Sequence, residues 1–263
     1  MGLDKISFAE LPDDAKAYFQ GVYERALSRF RSIVEAHGVG PGIARAIAQA
    51  RVAALEEELT PVVDALNAAG TPVACAKGCR CCCTTTVPVS PDEALALIDY
   101  LKTALGAADF AAFAARTRAA DARGHGVASV ERHQLKIFCP VLNPEDGSCL
   151  GHAVRPVACQ GYLSMSLQAC QADYEDTPRH IPHPIAANLI TQIVDSTRTF
   201  VLSEAGLTYA ELELTAALAA VLDTPDLEMR WVRGDSIFAD AAYTPTRPED
   251  LARMAHERGL VPP

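Results

Sequence analysis

Eight of the nine cysteines in this chain fall into two sets of four, and the first set is packed into nine residues: Cys75, Cys79, Cys82 and Cys83 in the run CAKGCRCCC. The second set, Cys139, Cys149, Cys159 and Cys170, is spaced at intervals of ten to eleven residues. So many thiols must be oxidised in pairs, buried, or given to a metal. Thiolate is the preferred ligand of zinc, copper(I) and iron-sulfur clusters, so the density of the first run predicts a soft-metal site.

Composition weakens the alternatives. With 263 residues, 49% of them hydrophobic, the chain can bury an ordinary core without disulfide staples. Residues 1–14 show no basic segment followed by an apolar stretch, which predicts a cytoplasmic chain whose thiols stay reduced or metallated. The longest Ala- and Leu-rich stretch, Leu214 to Leu222, is short and flanked by Glu213 and Asp223, so no membrane partner is expected. A formal charge of -10 and a pI near 5.2 oppose the phosphate attraction that nucleic-acid binding needs.

Hydrophobic periodicity outside the cysteine region is helical. Tyr18, Val22, Leu27, Phe30, Ile33 and Val34 predict one helix ending at His37-Gly38. Ile43, Ile47, Val52, Leu55 and Leu59 predict a second, with Pro61 expected to kink or break it before Gly70. Ser90-Pro91-Asp92-Glu93 is a capping box with proline at the first helical position, opening a helix to about Leu105. A further helix is expected over Asp109 to Arg123, and another over Ile185 to Val201 after Pro182-His183-Pro184. Thr208 with Glu211, and Thr246 with Glu249, read as capping boxes for two more.

From Val127 to Thr177 no period is sustained, and prolines and glycines punctuate the segment. The expected architecture is mainly α: helical flanks around a loop-rich central segment held by cysteines and metal. Its regions are an N-terminal helical part (1–72), a cysteine-cluster metal-binding part (73–177) and a C-terminal helical part (178–263), in one compact domain.

Projected on an α-helix at about 100° per residue, positions 75, 79, 82 and 83 share an arc of roughly 100°, and Cys81 lands on the far side. Gly78 and Thr84 to Thr86 argue instead for a loop entering a short helix. Both geometries mark Cys81 as a thiol outside the ligand set. Four thiolates around zinc or an oxidised 4Fe-4S core carry a net charge near -2, so nearby cations are expected, with Lys77, Arg80 and Arg155 as candidates. His152, His180, His183 and Tyr162 lie near cysteines without ligand-specific spacing.

The pattern CxxxCxxCC at Cys75 to Cys83, then Cys-Pro-Val-Leu at Cys139, Gly-Ser-Cys at Cys149 and Arg-Pro-Val-Ala-Cys at Cys159, resembles the zinc- or iron-chelating cysteine-cluster family, related to a module of flagellin lysine N-methylases. The resemblance covers roughly residues 73 to 170. It implies metal binding by Cys75, Cys79, Cys82, Cys83, Cys139, Cys149 and Cys159, with Cys170 as an eighth ligand, and it implies no substrate. Cys81 is an added thiol in that pattern.

The spacing Cys75-xxx-Cys79-xx-Cys82 is also similar to the cluster motif of radical S-adenosylmethionine enzymes, but the strand-helix alternation of their barrel is missing. The leading expectation is a protein carrying a 4Fe-4S cluster for electron transfer or sensing. The alternatives are a structural zinc with helices that bind a protein partner, and an iron-sulfur enzyme of methyltransferase or radical type. No hydrolase, kinase or zinc-protease motif occurs.

Overall fold

The computed structural model describes residues 11–175 and 180–243. The N-terminal periodicity becomes α1 (Asp13–His37), whose buried stripe is Phe19, Val22, Ala26 and Phe30, while Tyr18 faces outward. Gly38 takes a positive φ of 72° and donates its N–H to Val34 O, closing the last turn. Helix α2 (Ile43–Ala68) runs through Pro61 without ending there, contrary to a break at that residue. Pro61 removes one donor only, and the Glu57 carbonyl it leaves lies on an exposed stretch that water can satisfy.

Helix α3 (Pro91–Ala104) opens on the Ser90–Glu93 capping box as expected, and α4 (Ala107–Gly124) follows. The irregular segment holds three short helices that periodicity could not reveal: α5 (Ser129–Gln134), α6 (Val157–Gly161) and α7 (Leu167–Tyr174). Helix α8 (Ile185–Glu204) starts at the proline pair, and α9 (Leu214–Asp223) and the short α10 (Leu227–Val232) complete the described helices. The Thr208–Glu211 box does not form. Instead Leu212–Glu213 (β2) pairs antiparallel with Pro88–Val89 (β1), and the Glu213 side chain caps α9 by accepting from Ala216 N at 2.9 Å. The Thr246–Glu249 box lies outside the described residues.

Helix α1 packs on α2 and α8, α2 on α3 and α8, and α9 on α3 and α4. The N- and C-terminal helical regions therefore share one apolar cluster, running from Phe19 and Ile47 through Leu97 to Val194, Leu218 and Trp231. Among the described residues no helix is long and apolar enough to cross a membrane.

At the centre of these helices sits a buried network of charge. Arg198 of α8 donates from Nη1 to both Asp92 oxygens at 2.5 Å and to Ser90 Oγ at 2.8 Å, and from Nη2 to Asp195 at 2.6 Å. Arg51 of α2 lies 3.5 Å from Glu93 and donates to Gln160 Oε1 at 2.9 Å and to the Arg155 carbonyl at 2.6 Å. Glu93 accepts from Ser90 N at 3.0 Å and from Val157 N at 2.7 Å. Arg51, Asp92, Glu93 and Arg198 are essentially inaccessible to solvent, and Asp195 is half-buried. Buried ions survive only when paired and hydrogen-bonded, so the network locks the start of α3, the middle of α2 and α8, and the 155–160 segment into one arrangement.

Removing one partner strands a buried charge. Asp92→Ala is expected to cost about 3–5 kcal/mol in urea unfolding. Arg118→Ala, which breaks an exposed pair with Asp223, is expected to cost under about 1 kcal/mol.

Candidate metal centre

The cysteine run follows α2 across an irregular stretch and turns at Gly78. It enters a 3-10 helix over Cys81–Thr84, matching the expected loop into a short helix. Thr84 Oγ1 contacts His133 Nδ1 at 2.7 Å, and His133 Nε2 donates to the Asp173 carbonyl of α7 at 3.1 Å. This histidine, one of the residues that spacing gave no reason to select, ties the cysteine run to the helix that carries Cys170.

The second set arrives on loops and short helices. Residues 141–150 form a hairpin-like loop, with Leu142 bridged to Cys149, Asn143 N donating to Ser148 O at 2.7 Å and Leu150 N to Val141 O at 2.9 Å. Cys139 and Cys149 therefore stand at its two edges. Cys159 rides on α6, whose ends are fixed by the bonds from Arg51 and Glu93. Cys139, Cys149 and Cys159 all pack against the hydrophobic core.

Two backbone contacts join the sets. Cys139 N donates to Cys83 O at 2.7 Å. Gly78 and Gly147 also meet closely: both have positive φ, and a Cβ on Gly147 would stand 3.0 Å from Gly78 O. Side chains at either position would be strained and would separate the run from the hairpin.

All nine thiols are free. They fall into two neighbourhoods. In the outer one, Cys75 Sγ accepts from Ser164 N at 3.3 Å, while Cys170 Sγ contacts Ser164 Oγ at 3.1 Å. One serine thus holds a member of each sequence set. Cys79 and Cys81 belong here as well: burial pushes Cys81 up to about 11, and Cys79 adds to the shift. Cys81, read from the sequence as lying outside the ligand set, opens the 3-10 turn beside Cys82 and Cys83.

The deeper neighbourhood contains Cys83, Cys139, Cys149 and Cys159, with Cys82 beside it. Burial pushes Cys139 up to about 12, with Cys149 adding to it, and raises Cys159 well above its usual value, with Cys139, Cys149 and Cys82 adding. Cys149 is raised by burial and drawn back by the Gly151 amide and Arg155. Val141 N–H opposes the rise at Cys139 in the same way, so each hairpin sulfur receives an amide from two residues on. Cys82 is pulled down to about 7, chiefly by a hydrogen bond from Cys83, whose own value rises in return.

Of the three expected cations, Arg155 lowers both Cys82 and Cys149. Arg80 lies over the Phe138 ring at 5.7 Å, and Lys77 acts on Asp146. His183 donates from Nδ1 to Leu163 O at 2.7 Å and packs edge-on against Tyr162 at 4.6 Å, bracing the turn that carries Ser164. Burial raises the Tyr162 phenol, with Cys82 and Cys170 adding. His152 and His180 are exposed.

The chemistry of this donor set fits a thiophilic metal: unpaired thiols from both sets, amides aimed at sulfur, and a guanidinium alongside. Among the described residues, no three His, Cys, Asp or Glu side chains converge at the spacing of a preformed metal site. A cleft of about 300 Å³ lined by Tyr209, Trp231 and Phe238 includes no cysteine. Comparison with protein-family models, curated proteins and solved structures gives no match.

The thiols should differ sharply in reactivity, because the thiolate is the nucleophile. In the metal-free chain the thiolate fraction of Cys82 is expected to climb through pH 7, whereas Cys139 is expected to stay protonated well above it. Peptide mapping after brief iodoacetamide treatment at pH 7 to 8 is expected to show Cys82 alkylated first and Cys139 last.

Proposed function

We propose that this protein is a cysteine-ligated metal-binding protein carrying an iron-sulfur cluster of the 4Fe-4S type, with a role in electron transfer or sensing. The observation that supports the reading most is that Cys139, Cys149 and Cys159 pack against one apolar core while Cys139 N donates to Cys83 O at 2.7 Å, which brings thiols of both sequence sets to the same part of the fold. When bound, such a cluster supplies a one-electron couple whose potential follows its charge, hydrogen bonding and exposure. Those are the quantities this chain's residues control. Val141 and Gly151 amides donate toward sulfur, Arg155 contributes positive charge, and the core behind Cys139 and Cys159 keeps water out.

The outer group of Cys75, Cys79 and Cys170 completes the eight-thiol set, as a second four-thiolate site with Cys81 or as part of the same centre. The cysteine spacing resembles the zinc- or iron-chelating cysteine-cluster family, and that likeness rests on the spacing alone. Nine free thiols accord with a reducing, cytoplasmic setting. An electron-transfer or sensing role calls for a protein partner, and the exposed Cys75 puts the outer group within reach of one.

Zinc is the second reading. It is favoured by the way Cys139, Cys149 and Cys159 pack against the apolar core, where a closed structural site belongs. Among the described residues the only sheet is the β1–β2 pair, so the barrel of the radical-enzyme alternative draws no support.

Anaerobic purification followed by metal and sulfide analysis with an absorption spectrum tests the proposal. The expected result is a brown protein with iron and inorganic sulfide in equal amounts, and Cys159→Ser or Cys79→Ala is expected to lose the colour. A colourless protein with stoichiometric zinc and no sulfide would sink the iron-sulfur reading.

A further inference from the structure

The cleft that includes no cysteine takes its walls from the start of β2, from α10 and from the loop after α10. Local bonds hold each wall in place. Trp231 is buried, and its Nε1 donates to the Thr208 carbonyl at 2.9 Å. Leu212 bridges to Ala242, and Tyr243 N donates to Glu211 O at 2.9 Å. Gly234, at a φ of 83°, ends α10 in a turn that returns Asp235 N to Arg230 O at 3.0 Å and sets Asp235 in the lining. The cleft is therefore formed without an occupant. At about 300 Å³ it stands at the lower end of the range for pockets that take small organic molecules.

Its lining combines two chemistries. Tyr209, Trp231 and Phe238 supply aromatic surface, and Glu211 and Asp235 supply carboxylates. Among the described residues no lysine, arginine or histidine lines it. Asp235 accepts from Arg230 Nε at 3.3 Å through Oδ2, whereas Glu211 forms no ion pair among the described residues. Burial raises the Tyr209 phenol, and Asp195 and Glu211 add to the rise, which places negative charge beside that ring. A carboxylate attracts a cation through its charge and an aromatic face attracts one through its quadrupole, while both disfavour an anion. A hard metal ion is the wrong occupant, because it calls for six or more oxygen ligands and three of these five side chains offer rings.

We infer that this cleft binds a small organic ammonium ion, whose alkyl groups pack on Tyr209, Trp231 and Phe238 and whose charge is met by Glu211. The site is separate from the thiols and stands whether or not they hold a metal.

Trp231 is the single tryptophan of the chain, so its emission reports on the cleft directly. The test titrates the full chain at constant ionic strength with choline as the probe, and in parallel with dimethylbutanol, its uncharged carbon analogue. Choline is expected to change the emission saturably, and dimethylbutanol to bind at least about 10-fold more weakly. Glu211→Gln and Tyr209→Leu, both at exposed positions, are each expected to weaken choline binding about 3- to 10-fold. No saturable response to choline, equal affinity for the two probes, or wild-type affinity in Glu211→Gln would overturn the inference. If Glu211→Gln does not fold, Tyr209→Leu carries the test, and wild-type affinity there would overturn it.

Discussion

The buried charges at the start of α3 are the constraint on which the rest of the structure depends. Asp92 and Glu93 are consecutive, so one faces Arg198 of α8 and the other Arg51 of α2. The first turn of α3 is thereby clamped between the two long helices that dominate the fold. From the same cluster Arg51 and Glu93 reach out to the Arg155 carbonyl, Gln160 and Val157 N, which positions the short helix bearing Cys159. A segment with little apolar surface of its own is thus fixed by polar contacts from the core. Each of those groups would be expensive to bury unpaired, so the arrangement has few alternatives.

The thiols sit on the side of this frame where the chain is least regular. Their loops are organised by contacts that are mostly backbone: Cys139 N to Cys83 O, the 141–150 hairpin, and the Gly78–Gly147 approach. Side-chain struts add to these, with His133 bridging Thr84 to α7 and Ser164 gripping both Cys75 and Cys170. The sulfurs are brought near one another without being locked at ligand distance. Metal binding to such a site stabilises the folded chain by mass action, as any ligand selective for the native state does.

Much of this was legible in the sequence. The long helices announced themselves through periodicity over several turns, and the Ser90–Glu93 box marked α3 to the residue. Helices of five to eight residues, such as α6 and α7, present too few turns for a period to emerge. Thr208 and Glu211 had the right spacing for a cap, but strand pairing with Pro88–Val89 competed for the following residues and won, moving the cap to Glu213. Glu93 was read as a cap; its second role as the partner of Arg51 depends on a residue 42 positions away that no local pattern connects. His133 was invisible for the same reason.

The central claim is that thiolates from distant segments hold a metal. X-ray absorption at the metal edge of the anaerobically purified protein tests it most directly, because it reads the atoms bound to the metal. The account predicts an all-sulfur first shell at about 2.3 Å, the distance of metal-thiolate bonds. A first shell of nitrogen and oxygen, or a protein that retains no metal at all, would contradict it.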